Sequence, residues 1–524
     1  MSTQEQQRPP SAVDEQQGDA GAPMAARPPA DDAVWLHPFL YAPQLKPTVP
    51  AKLRKQLAVL LPADNGPAMK EGRAYLSALE DARVAATSAC CESGAVSAAG
   101  RSTALGTYLG LLQGLLGVST ASDDLEGGAD LDVALAEAEE GASNHPPTLA
   151  FDSPLRHAAT WQWADTVLGS SSSGGKPFSS SDALFELSSM LLATTLASMR
   201  EAATLCADSA GGVGTAASTQ AYRLLREVAG ALDWLAASAL PQLPPTASSD
   251  LDPQVISALS TLALADAQSL TVLRASAKGN QPSLVAALAA DTAALYRRAG
   301  QALAASASPA APGSKLAHYL SYKAQWHQGY ANLHAGINAW QARQQPGVGL
   351  RHLREAAALA TAARKAADLF DAAAPPTMNL LHRRHDEQLM DRLQEVQRRM
   401  QREADVVYMQ RMAAELPPLP PVRRLVSPVL YALPPPATQV STGALRCFVA
   451  SSSGAAATAS TAAPVAAASA ATKPPEQQQQ QLAEAAEQGC SCWRWTVFLI
   501  VTPLLLLISL VGVVVWIVLL PVKV

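Results

Sequence analysis

The sequence predicts an all-α protein that carries one transmembrane helix near its C-terminus. Three observations lead there. Of 524 residues, 48% are hydrophobic, but only 5% are aromatic and 16% charged. Much of the apolar content is alanine, the strongest helix former, while the aromatics that enrich strands are scarce. Second, apolar residues recur at three- and four-residue intervals through long stretches. Third, no residue from Trp495 to Leu520 is charged.

The periodic stretches set the body of the protein. Ser181–Asp208 places Leu184, Leu187 and Leu191 on one face, with Phe185, Leu192, Leu196 and Met199 beside them, so this helix is expected to be buried over a wide arc. Leu224, Leu225, Val228, Leu232 and Leu235 line one face of Ala221–Leu240. Leu316–Ala342, Leu350–Ala374 and Leu380–Leu416 continue the series. Long helices joined by short connections imply antiparallel neighbours in a bundle or helical array. No fixed-period repeat is visible, so a consensus tetratricopeptide array is unsupported. Pro241–Asp252, Ser306–Ser314 and the serine-rich Gly169–Asp182 read as loops, and Ser122–Glu140 as a solvated acidic insertion. Pro417-Pro-Leu-Pro-Pro421 reads as a connector or packing element.

The chain divides into four segments. Residues 1–34 lack an apolar signal-peptide core and read as a disordered tail. Residues 35–436 form the helical domain, and residues 437–492 are an Ala/Ser/Gln linker that cannot bury a core. Residues 493–520 are the tail anchor: about 20 apolar residues cross the hydrocarbon core. Leu505 lies inside this run, with Trp495 and Trp516 towards the interfaces. The expected orientation leaves the body in the cytosol. Cys490 and Cys492 stand beside the span, where lipidation by palmitate is an option.

Chemistry-bearing motifs are weak. Six cysteines show neither a disulfide framework nor zinc spacing. A net charge of −5 offers nothing to nucleic acid. Gly169-Ser-Ser-Ser-Ser-Gly174-Gly175-Lys176-Pro177 misses the phosphate-loop pattern by one residue, and Pro177 removes a backbone donor. His382 and His385 lie three apart on a helix and read as solvated surface. Arg383, Arg384, Arg392, Arg398, Arg399 and Arg402 alternate with acidic residues, which favours a salt-bridged exposed helix over a lipid-binding face. No catalytic signature, metal site or cofactor fingerprint supports an enzyme, and no cofactor is expected.

Several segments together resemble the BRO1-domain family, in its single-domain Brox-type form. They are Tyr108-Leu-Gly-Leu-Leu-Gln-Gly114, Trp163-Ala-Asp-Thr-Val167, Asp182-Ala-Leu-Phe-Glu-Leu-Ser-Ser-Met190 and Ala229-Gly230. The order continues through Ala265-Asp-Ala-Gln268, Leu284-Val-Ala-Ala-Leu288, Tyr296, Tyr319-Leu-x-x-Lys323, Gly347-x-Gly349-Leu350-x-x-Leu353 and Asp405-Val-Val-Tyr408. The resemblance implies an elongated, banana-shaped domain with a tetratricopeptide-like helical core. It also implies an adaptor on endosomal membranes that receives the C-terminal helix of an ESCRT-III subunit of the Snf7/CHMP4 kind. Leu284, Leu288 and Thr271 match the family's hydrophobic patch, Thr271 standing where many relatives carry an aromatic. Read without the family, the two leucines are ordinary core residues. The chain departs from the pattern at Ala404, where the family has Asn, and at Met412-Ala413, where it has Val-Pro. A membrane span replaces the family's prenylation signal. The alternative is a tail-anchored helical scaffold for a different, non-ESCRT partner.

Overall fold

The computed structural model describes residues 38–61, 66–91, 96–120, 149–151, 153–169, 177–208, 215–244, 248–375 and 381–437. The tail 1–34, the acidic stretch 122–140, the serine-rich residues 170–176 and the linker from residue 438 lie outside them. So do Cys490, Cys492 and the anchor run with Trp495, Leu505 and Trp516. The chain divides into two compact units, Met1–Ala457 and Thr458–Val524, and every described residue belongs to the first.

Helices dominate. In chain order they are α1 (Leu53–Leu57), α2 (Pro67–Cys91), α3 (Ala98–Leu116), α4 (Ala183–Asp208), α5 (Ala216–Trp234), α6 (Pro253–Ala277), α7 (Pro282–Ala304), α8 (Lys315–Gln341), α9 (Pro346–Ala372) and α10 (Leu381–Val406). Their starts are written locally. Ser97, Thr215, Asp252 and Ser314 each accept a hydrogen bond from a first-turn amide, satisfying donors that a helix leaves open. Pro253, Pro282 and Pro346 sit at first-turn positions, where a missing N–H costs nothing. From α4 to α10 each helix packs on its sequence neighbours, giving a layered array of helical hairpins. One core runs through α1–α8 and reaches α9 at Phe370, and a second runs through α6–α10, so α6–α9 contribute to both.

Three expectations need correction. The body is not purely helical: β1 (Val118–Thr120) pairs antiparallel with β2 (Leu149–Phe151), and β3 (Trp161–Trp163) with β4 (Phe178–Ser180). Three-residue strands are too short to register as alternation, although Trp161 and Trp163 are buried on either side of half-buried Gln162. The end of the Gly169–Asp182 loop is therefore a strand. Second, α10 stops at Val406, ten residues short of the expected Leu416. Met409 takes a left-handed conformation and the Gln410 amide bonds back to the Ala404 carbonyl, which ends the helix.

Third, His382 and His385 are buried, not solvated. His382 lies 3.2 Å from the Asp371 carboxylate of α9, among the rings of Phe39, Tyr322 and Phe370. Burial pushes its pKa below the ordinary value, although Asp371 pulls the other way. The facing carboxylate comes from another helix, which spacing along α10 could not reveal. Three of the six arginines of α10 pair as an ion-paired surface helix should. Arg383 bridges to Asp368 and Asp371, and Arg392 and Arg399 to Glu395.

Candidate partner-binding face

Seven of the motif residues build two buried polar knots. In the first, Glu186 of α4 is fully buried. It accepts hydrogen bonds from Arg83 Nε of α2 (2.8 Å), Tyr108 of α3 (2.9 Å) and Trp163 Nε1 of β3 (2.6 Å). Arg83 also donates to Thr48 Oγ1 and the Val49 carbonyl, which fastens the segment before α1. A buried carboxylate survives only with such compensation. These contacts hold four sequence-distant elements on one charge.

In the second knot, Asp266 of α6 accepts from Tyr296 of α7 (2.6 Å) and Tyr319 of α8 (2.8 Å). Lys323, one turn beyond Tyr319, donates to the Phe39 carbonyl (3.0 Å). Burial raises the Asp266 carboxyl to about 6 against the pull of Lys323, and burial lowers Lys323 to about 8 against the pull of Asp266. The knot fixes the register of α6, α7 and α8, whose outer surfaces form the candidate face.

The α6–α7 hairpin is turned by Gly279, which is left-handed at φ 67°, while the Asn280 amide closes onto the Ala275 carbonyl. Thr271 lies on α6 and Leu284 on the first turn of α7, and both are half-buried. Leu288, one turn further, is fully buried in the second core. The three expected patch positions lie on one hairpin, but Leu288 presents no surface in this conformation. Exposed Arg274 and Lys278 border the hairpin.

Sequence reading missed the segment that lies over this face. After α10, residues 407–437 form a strap without regular secondary structure that returns across the array to α3. Its Ala413 amide bonds to the Gly347 carbonyl of α9. Further on, the Gln268 side chain of α6 donates to the Arg423 carbonyl (3.0 Å) and accepts from the Leu425 amide (3.4 Å). The Arg423 amide reaches the Ala287 carbonyl of α7 (3.4 Å), and Arg424 pairs with Asp291 at 3.1 and 3.0 Å. Val429 then pairs with Arg226 of α5, Tyr431 packs on Trp234, and Pro434 and Ala437 bond to Gln113 and Gly110 of α3. Two motif glycines mark this path. A Cβ on Gly230 would overlap the Val429 carbonyl, and one on Gly347 the Arg411 carbonyl. The clue in the sequence is the proline run Pro417-Pro-Leu-Pro-Pro421, whose composition suggests a connector without saying where it docks.

Buried Glu186 and Asp266 and a returning strap knit these elements into one helical-hairpin scaffold; among the described residues no His/Cys/Asp/Glu cluster could hold a metal. Residues 150–444 match the BRO1-like domain family, more than half of the chain, and the protein belongs to that family. It is similar to the BRO1 domain-containing protein BROX of Mus musculus, with 28% identity over 348 residues, 64% of this chain and 80% of the relative. To the Homo sapiens BROX it is 29% identical over 303 residues, 57% of this chain and 71% of the relative. Among solved structures, the ALIX BRO1–CHMP4C complex superposes with a TM-score of 0.53 at 18% identity, covering 76% of this chain and 97% of that one. A structure described as the basis for endosomal targeting by the Bro1 domain gives 0.52 at 15% identity, covering 80% and 100%. At these identities the likeness is one of fold.

Proposed function

We propose that the protein is a membrane-tethered adaptor that binds the amphipathic C-terminal helix of an ESCRT-III subunit and works by binding alone. The observation that carries the reading is the α6–α7 hairpin. Thr271 and Leu284 lie on its two helices, both half-buried, and Leu288 belongs to the core beneath. Helix-in-groove recognition needs apolar anchors on a rigid face and a polar rim that sets register. The Asp266 knot supplies the rigidity, and Arg274 and Lys278 supply a basic rim suited to an acidic helix. The family supports the partner class, since ALIX BRO1 was solved with CHMP4C. The tether is the apolar run 493–520, with the body on the cytosolic side of an endosomal membrane.

The test titrates the full chain in detergent micelles with a peptide of the CHMP4C C-terminal helix. Micromolar binding that Leu284→Asp abolishes, with helical content unchanged, is the expected result. A folded chain that ignores the peptide would favour the scaffold reading with another partner. For the tether, resistance to alkaline extraction from membranes should disappear when residues 493–524 are deleted.

A further inference from the structure

The strap and the candidate groove use the same two helix faces. On α7, Leu284, Ala287, Leu288 and Asp291 stand at i, i+3, i+4 and i+7, one stripe of a helix. The strap takes the Ala287 carbonyl and Asp291; the groove positions are Leu284 and Leu288. On α6, Gln268 brackets the strap backbone and Thr271 is the next residue along that stripe. A partner helix lying along Thr271 and Leu284 meets strap atoms at interleaved positions.

The middle of the strap is built to let go. Among the described residues, no hydrogen bond ties 414–422 to the body, between the Ala413 and Arg423 anchors. Four of those nine residues are Pro417, Pro418, Pro420 and Pro421, which have no N–H to offer. The apolar contact there is Leu419, half-buried against the core that contains Leu288, the same core against which half-buried Leu284 packs. Leu419 lies four residues before Arg423, whose amide is 3.4 Å from the Ala287 carbonyl, so it sits within about 18 Å of that oxygen. Beyond Leu425 the strap is fastened differently: Val426 is buried, and Arg226, Trp234, Gln113 and Gly110 hold residues 427–437 in place.

We propose that residues 414–425 are a built-in cover of the groove, with Leu419 as its plug and the Arg424–Asp291 pair as its latch, lifted when a partner helix binds. The inference rests on the helix-binding reading above. Its cost to the partner is the fraction of time the cover is closed, because apparent affinity scales with the competent population.

The experiment compares the full chain with the double variant Leu419→Ser/Arg424→Ala, in detergent, titrated with the CHMP4C helix peptide. Both substitutions fall on exposed or half-buried strap residues outside the helices. Hydrogen exchange at the Arg423 and Leu425 amides is followed in parallel. The cover predicts about tenfold tighter binding by the variant, and faster exchange at both amides when the unaltered chain is saturated. Equal or weaker binding by the variant, with exchange at those amides unchanged or slowed by peptide, overturns the cover and makes the strap a wall of the groove, leaving the adaptor reading intact. No binding by either folded protein removes both.

Discussion

Gly230→Ala sets helix propensity against the docked strap, and the sign of its effect decides which wins. Gly230 lies inside α5, where exchanging Gly for Ala ordinarily stabilises a helix by about 1 kcal/mol. Here the added methyl overlaps the Val429 carbonyl oxygen, a backbone atom that cannot rotate away. The strap must retreat and strain three contacts: Val429 N to the Arg226 carbonyl (3.1 Å), Arg226 Nε to the Ser427 carbonyl (2.7 Å), and the Trp234–Tyr431 pair at 5.4 Å between centroids. Two hydrogen bonds at about 1 kcal/mol each and one aromatic contact of about 1 kcal/mol total roughly 3 kcal/mol. After the helix gain, the variant should be less stable by about 2 kcal/mol, and its Val429 amide should lose exchange protection. Thermal unfolding followed by helical circular dichroism reads the first and hydrogen exchange the second. A variant that unfolds later than the unaltered protein, with Val429 still protected, would mean that the strap does not lie on α5.

Leu284 and Leu288 should separate binding from stability. Leu284→Asp removes peptide binding while leaving the unfolding transition nearly in place, whereas Leu288→Ala lowers stability by about 2–5 kcal/mol, as expected of a fully buried leucine. Glu186→Ala strands the buried Arg83 guanidinium and should cost about 3–5 kcal/mol, readable by denaturant titration. Asp266 gives a pH dependence. Its folded pKa of about 6 exceeds the unfolded value, so the stability it contributes is complete below about pH 4 and lost as pH rises through 6. Asp266→Asn should therefore gain on the unaltered protein by roughly 2–3 kcal/mol between about pH 4 and pH 7, and a flat difference across that window would sink the assignment.

How much of this was legible depended on the range of the interaction. The long helices were readable because their signal is local: apolar residues every three or four positions, a capping Ser or Thr, a proline in the first turn. The two strand pairs were not, because three residues carry almost no alternation. The environment of His382 was hidden because Asp371 and Phe39, which enclose it, belong to other segments of the chain. The strap was invisible for the same reason. Its partners on α6, α7, α5 and α3 lie more than 130 residues away in sequence.

The distribution of the motif residues bears on where function resides. Tyr108, Trp163 and Glu186 meet in one knot, and Asp266, Tyr296, Tyr319 and Lys323 in the other, while Gly110, Gly230, Gln268 and Gly347 carry the strap. These residues build the scaffold, so a chain can keep all of them and still change what it binds. In the proposed reading, recognition falls to the positions between them: Thr271, Leu284, Leu419 and the basic rim. Partner choice should then respond to Thr271 more than to any knot residue. Thr271→Phe adds a ring at this half-buried position, which buries more apolar area against a helix ligand but also crowds the strap anchored one turn away at Gln268. If the cover governs access, the larger ring should tighten peptide binding chiefly by loosening the strap, and the gain should vanish in the Leu419→Ser/Arg424→Ala background. A gain that persists undiminished there would place the ring's effect in direct contact with the partner.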